Sequence, residues 1–296
     1  MLQNLTTETR NQLTMHLDQM SVIELLTVMN EEDAKVAGAV KEQIPRIAEA
    51  VKAITDSLRR GGRLIYMGAG TSGRIGLLDA VECPPTFGTS PDLVVGLIAG
   101  GSNAFIKAVE GAEDREELGV ADLQSLILRA EDAVVGIAAS GRTPYVIGGL
   151  EYAKSVGAVT ISLSCNIDAE ISQKADIAIE IGNGPEVLTG STRLKAGTSQ
   201  KLVCNMLSTA AMIGMGKVYG NLMVDVQLSN KKLIERAKRI IMEATSCDMT
   251  TAETTLELAG RKPKVAILMI LAGCTVEEAL EKLERTKGFI APAVSE

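Results

Sequence analysis

Between residues 62 and 181, short apolar runs alternate with segments whose apolar residues recur at three- and four-residue intervals. RLIYMG (63–68), DLVVGLIAGG (92–101), DAVVGIAAS (132–140), AVTISLSC (158–165) and ADIAIEI (175–181) are apolar at consecutive rather than alternate positions. That pattern predicts strands of a largely parallel sheet buried on both faces. Helices are predicted between them: SGRIGLLDAVE (72–82), stopped by Cys83-Pro84-Pro85, then 102–123, then PYVIGGLEYAKSVG (144–157) with Pro144 near its start. A long helix is predicted from near Thr192 through LVCNMLSTAAMIGMG. Upstream, 18–59 reads as helices. Ser21 and Glu24 are spaced as a capping box, and Pro45 marks a turn or kink. After Asp225 the pattern shifts to short helices, including 251–260, 264–273 and 275–286. The chain reads as an α/β protein with three parts: an N-terminal helical segment (1–55), a parallel-sheet domain flanked by helices (56–220) and a small C-terminal helical domain (231–296).

Composition removes several function classes. The formal charge is −7, no run of five basic residues exists, and Trp is absent beside four Tyr and three Phe. Neither phosphate electrostatics nor base stacking is provided for, so no nucleic-acid partner is expected. No unbroken apolar stretch approaches the roughly 18 residues of a membrane span. The polar N-terminus lacks a signal-peptide core, so the cytoplasm is the expected location. The five cysteines are odd in number and form no C-x-x-C pair, as expected of free thiols in a reducing compartment. His16 is the only histidine and lies in the polar N-terminal segment. A Ser-His-Asp triad, a Cys-His pair and a multi-His zinc site are therefore not expected. Neither metal nor cofactor is called for, and proton transfers fall to Glu, Asp, Lys, Tyr or Cys.

Gly68-Ala69-Gly70-Thr71-Ser72-Gly73 has the G-x-G-x-x-G spacing of a dinucleotide turn. Such a site also needs an acidic residue closing the second strand, about 20 residues on. Here that strand ends in Ala99-Gly100-Gly101-Ser102, so NAD is not expected. A different logic fits, because the motif recurs. Gly70-Thr71-Ser72-Gly73-Arg74 follows one strand and Ser140-Gly141-Arg142-Thr143 follows another. Each places hydroxyls, a glycine and an arginine ahead of a helix, where N–H groups and the helix dipole favour an anion. The two turns either converge on one phosphate or are ordinary helix caps.

These turns resemble the phosphate loops of the SIS (sugar isomerase) domain. The stretch 184–201, GPEVLTGSTRLKAGTSQK, is similar to a signature shared by N-acetylmuramic acid 6-phosphate etherases and the glucokinase regulatory protein. DAVECPPTFG, GLIAGG, VEGAED and ASGRTPYV resemble the etherase family in particular. The resemblance implies a SIS-type sheet sandwich and a phosphosugar substrate whose lactyl ether is eliminated after removal of the C2 proton. It implies Glu113 as the base and Glu82 as the acid that protonates the departing lactate. From the residues alone, Glu82 is also a helix-terminal surface acid, and Glu113 stands in an acidic run from which sequence does not choose. In the 184–201 segment, Lys195 or Arg193 balances the phosphate or the lactate carboxylate, with Glu186 and Ser191 beside them; a structural Glu186–Arg193 pair is the other reading. Glu82 lies about nine residues past Gly73, roughly 13 Å along an ideal helix. A homodimer, with Glu82 serving the partner subunit's site, meets that distance. A sugar-phosphate isomerase and a non-enzymatic sugar-phosphate-binding regulator are the alternative functions.

Overall fold

The structure is a computed structural model and describes residues 5–107, 109–228 and 230–295. It divides into two compact units. One comprises residues up to Val81 with Asp92–Ser208; the other comprises Glu82–Pro91 with the residues from Thr209 onward.

The first unit is built on strands β1 (Leu64–Gly68), β2 (Val94–Ile98), β3 (Ala133–Ala138), β4 (Val159–Ser164) and β5 (Ile177–Glu180). All neighbours run parallel, in the order β2-β1-β3-β4-β5. Leu64 is in register with both Val94 and Ala133. The chain winds outward one way from β1 to β2 and the other way from β3, so the order reverses between β1 and β3. In a doubly wound sheet the crevice at the carboxyl ends of those two strands is where a ligand fits.

Helices cover both faces. Ile65, Met67 and Val134 pack with Leu123 of α5 (Glu116–Ser125) and with Tyr145, Val146 and Leu150 of α6 (Pro144–Val156). On the opposite face Tyr66 meets α4 (Gly70–Phe87) at Gly76, and its hydroxyl donates to the Cys204 carbonyl in α7 (Lys195–Gly214), 3.4 Å away. The N-terminal segment forms α1 (Val22–Asp33), α2 (Val36–Glu42) and α3 (Ile44–Arg59). Ser21 and Glu24 make the expected capping box, and Pro45 falls in the first turn of α3, where its missing N–H costs nothing. At the base of the sheet, Arg63 grips the fully buried Asp132: Nε donates to Oδ1 (3.1 Å) and Nη2 to Oδ2 (2.7 Å). Burial would push that carboxyl up, but the bonds from Arg63 and the Arg129 N–H hold it below the usual aspartate range.

Two of the predicted helices differ from expectation. The helix predicted over 102–123 is a short 3-10 turn (Ser102–Phe105), then loop over 109–115, then α5, with residue 108 outside the described residues. Gly111, inside that range, takes a positive φ of 74°, which breaks the helical path. The acidic run is therefore loop as far as Arg115. Conversely, α4 continues through Pro84 and Pro85 to Phe87. Proline's fixed φ is itself helical; only two N–H donors are lost. The Gly88 N–H closes the last turn on the Pro84 carbonyl (2.9 Å), and Gly88 ends the helix at φ 63°.

In the second unit α8 (Lys231–Thr245), α9 (Met249–Leu258), α10 (Pro263–Ala272), α11 (Val276–Arg285) and α12 (Ile290–Ser295) enclose a core including Val224, Ile241, Leu256, Ile267 and Ile290. A two-residue antiparallel pair, β6 (Val218–Tyr219) with β7 (Leu222–Met223), was not expected from the pattern. Asp225 accepts from Lys217 (3.3 Å) and Lys264. No helix among the described residues is long and apolar enough to cross a membrane.

Candidate active site

The glycine loop is a tight strand-to-helix turn. Gly70 sits at φ 51°, and a Cβ on Gly73 would stand 2.6 Å from the Gly68 carbonyl oxygen. Glycine at these positions lets α4 start directly against the end of β1. The turn after β3 repeats the device: Gly141 has φ 74°, and Thr143 occupies the N-cap position of α6.

Between the two turns, at the switch between β1 and β3, lies a cavity of about 590 Å³. Gly70, Thr71 and Ser72 line it from one turn, Ser140, Arg142 and Thr143 from the other, and Glu113 and Asp114 from the loop before α5. Glu8 and Thr192 complete its polar lining. The first N–H groups of a helix have no intrahelical partner, and at α4 those groups belong to residues that line the cavity. Among the described residues Arg142 is the only cation in the lining, and it stands 3.9 Å from Glu170. The arrangement offers an anion hydroxyls, a helix N-terminus and one guanidinium, with carboxylates alongside for proton transfer.

The two serines differ in what they offer. Ser140 Oγ accepts the Arg142 N–H (3.3 Å), so its own proton is available to a ligand. Ser72 is buried and its Oγ donates to Gln200 Oε1 (3.0 Å). Glu113 is exposed, but its backbone is fixed: its carbonyl accepts the Tyr145 N–H (3.0 Å) in the first turn of α6. Tyr145 is in turn held by its hydroxyl, which donates to Asp122 in α5 (2.6 Å).

The remaining residues singled out from sequence lie elsewhere. Arg74 donates to the carbonyls of Ala104 and Phe105, both at 2.8 Å, and so braces the 3-10 turn after β2. It lines a smaller cavity of about 250 Å³ that also borders Gly70 and Glu113. Glu186 is buried at the start of α7, where it accepts the N–H groups of Lys195 and Ala196 (3.0 Å each). Burial raises its carboxyl above the usual range despite those two bonds. Among the described residues Glu186 makes no ion pair with Arg193. Lys195 is buried, with Nζ on Glu32 Oε2 (2.6 Å) and on the Asn183 carbonyl (3.1 Å). Ser191 is half-buried and its N–H donates to the Leu188 carbonyl (2.9 Å). Glu82 is exposed and belongs to the second unit, outside the lining of the main cavity. Glu8, Asp114 and Thr192 were not singled out. Glu8 is a lone acid in a polar segment, Asp114 one of several in a run, and neither spacing carries a signal.

Residues 46–154 match the family model of the glucokinase regulatory protein N-terminal SIS domain, and 117–210 match that of the SIS domain. The chain is 62% identical over 294 residues to the N-acetylmuramic acid 6-phosphate etherase of Exiguobacterium sp., covering 99% of this chain and 100% of that one. It is 59% identical over 293 residues to the enzyme of the same name from Mycolicibacterium smegmatis, covering 99% and 98%. In fold it is similar to phosphoheptose isomerase GmhA from Neisseria gonorrhoeae, with a TM-score of 0.51 at 16% identity, over 64% of this chain and 98% of that one.

Proposed function

The chain belongs to the N-acetylmuramic acid 6-phosphate etherase family, and from that premise we propose that it cleaves the D-lactyl ether of N-acetylmuramic acid 6-phosphate. The products are N-acetylglucosamine 6-phosphate and D-lactate. The observation that carries this reading is the cavity at the β1–β3 switch, where two hydroxyl-bearing turns face Glu113.

An ether is a poor leaving group by itself. This one sits at C3, beta to the C1 aldehyde of the open-chain sugar. Glu113 takes the C2 proton, and the electron pair is delocalised into the carbonyl as an enolate. Collapse of the enolate breaks the C3–O bond, and Glu82 protonates the departing lactate oxygen. Water then adds across the double bond, its hydroxyl to C3 and a proton to C2. Two carboxyl groups, one acting as base and one as acid, suffice for this sequence. The phosphate rests against the N-terminus of α4, with Ser72, Ser140, Thr143 and Arg142 around it.

Glu82 reaches the chemistry from a second copy of the chain, so the working form is a homodimer with sites shared across the interface. Its support is the nine-residue spacing in sequence from Gly73 to Glu82, and the exposed Leu78 and Val81 just before it, 40% and 59% accessible. The protein acts in the cytoplasm on sugars released from the cell wall. D-lactate release from N-acetylmuramic acid 6-phosphate tests the reaction; conversion without lactate would make the protein an isomerase, and binding without turnover a regulator. Mixing Glu82→Gln with Glu113→Gln subunits tests the shared site. Mixed dimers regain one intact site if the acid comes from the partner, and none if both acids serve their own subunit.

A further inference from the structure

We infer that Gln200 is a positioning residue for the phosphosugar site, its carboxamide turning over so that Ser72 can donate to the phosphate. This rests on the reading that the turn after β1 holds phosphate. Gln200 lies in α7, fully buried, and is not part of the cavity wall. Ser72 has one hydroxyl proton, and it points inward to Gln200 Oε1 at 3.0 Å. A phosphate oxygen only accepts hydrogen bonds. With its proton committed inward, Ser72 turns lone pairs toward the place an anion must occupy. Ser140 has no such conflict, because its oxygen accepts and its proton is free.

The other side of the amide shows how the conflict is resolved. Gln200 Nε2 faces Cys165 Sγ at 4.0 Å, a long contact to a sulfur that is itself a donor. Cys165 is fully buried, and burial pushes its thiol up to about 12, so it keeps its proton. Its other partners are Ser199 Oγ at 3.5 Å, whose own proton goes to the Ala196 carbonyl, and that carbonyl at 3.7 Å. Exchanging the amide oxygen and nitrogen frees the Ser72 proton and leaves the Cys165 thiol with an acceptor. Nε2 then donates to Ser72 Oγ, the Ser72 proton swings to the phosphate, and the Cys165 S–H donates to Oε1. No proton changes owner, and the Ser72 and Cys165 protons each meet an acceptor.

The two substitutions at 200 separate this role from packing. Gln200→Glu keeps the acceptor and removes the amide donor, so it holds the Ser72 proton inward. Gln200→Met removes both and releases Ser72. For N-acetylmuramic acid 6-phosphate, Gln200→Glu should raise KM about 10-fold or more, the effect of one lost charge-assisted bond. It should change kcat far less, and raise KM more than Gln200→Met does. In a Ser72→Ala background, Gln200→Glu should add little to KM. A packing role gives the reverse order, because Met forfeits both bonds. That reverse order, or additive KM effects with Ser72→Ala, overturns the inference. If Ser72→Ala itself leaves KM unchanged, the phosphate reading of the turn fails instead. Should the Gln200 variants not fold, neutron diffraction of the deuterated wild-type protein with and without inorganic phosphate reads the amide directly. Nε2 facing Ser72 only with phosphate supports the inference; Oε1 facing Ser72 in both states overturns it.

Discussion

Replacing Lys195 by Met tests whether this lysine, in the signature segment, serves the fold or the ligand. Its ammonium is 1% exposed and bonds Glu32 Oε2 at 2.6 Å and the Asn183 carbonyl at 3.1 Å. Met keeps the stem's apolar packing and deletes both bonds. Breaking one side of a buried pair costs about 3–5 kcal/mol. Glu32 retains Lys35 as a second partner, which puts the expected loss at the low end, about 3 kcal/mol. For a unit of this size that lowers Tm by roughly 6–12 °C. The pH dependence has a definite sign. Burial tends to push the Glu32 carboxyl up, but bonds from Lys195 and Lys35 hold it below its ordinary value. The pair therefore stabilises above the unfolded carboxyl range, and its contribution fades as pH falls through the depressed folded value. In Lys195→Met burial wins, so the Tm gap to wild type should be widest near pH 7 and shrink toward pH 4. Differential scanning calorimetry across that range reads the gap, and lactate release at 25 °C should show KM within about threefold of wild type, as expected of a residue that makes no ligand contact. A KM rise above tenfold with Tm unchanged would mean that Lys195 binds the substrate and that the buried pair is not its role.

The two glutamates should separate by step: Glu82→Gln loses lactate release yet keeps some exchange of the C2 proton with D₂O, whereas Glu113→Gln loses both, each by about 10²–10⁴-fold. NMR of the substrate in D₂O distinguishes them, and the opposite pattern would reverse the assigned roles. Ser140→Ala should raise KM for the 6-phosphate by about 10- to 100-fold, the worth of one donor to an anion, while weak turnover of the unphosphorylated sugar stays the same; equal losses on both would remove Ser140 from phosphate binding. Asp132→Ala should cost about 3 kcal/mol at pH 7, since the largely buried Arg63 loses its carboxylate and keeps only the Leu126 and Ile127 carbonyls. Because the folded carboxyl titrates below its unfolded value, that difference should decline as pH falls below the ordinary aspartate range; a urea midpoint gap constant down to pH 3 would contradict the assignment.

The strands were legible because a parallel sheet buried on both faces leaves little choice of residue, and RLIYMG and DAVVGIAAS carry that constraint openly. The two turns were legible because hydroxyls and glycine recur at the same place after two strands. The loop before α5 was not. Its residues have helical composition, and the positive φ of Gly111 that diverts the chain is not revealed by composition. Pro84 and Pro85 misled in the other direction, since a stop signal near the end of a helix removes two bonds without moving the backbone. In the site, sequence reached Glu113 only through family likeness, and Glu8 not at all. The buried chain behind Ser72 joins residues 72, 165 and 200, a separation at which no local pattern operates.

The bond from the Tyr145 N–H to the Glu113 carbonyl runs from main chain to main chain. It does not depend on the side chain at 113, so a change of that side chain alters chemistry without removing either partner of the bond. Only an imino acid at 145 deletes the donor, and Pro144 already occupies the neighbouring position where the first turn of α6 tolerates one. The distance between the acidic loop and the Ser140 turn is thus a property of the chain's path. A designer is free to change the acid's identity at 113, to Asp or to a neutral residue, and expect its backbone to stay where it is.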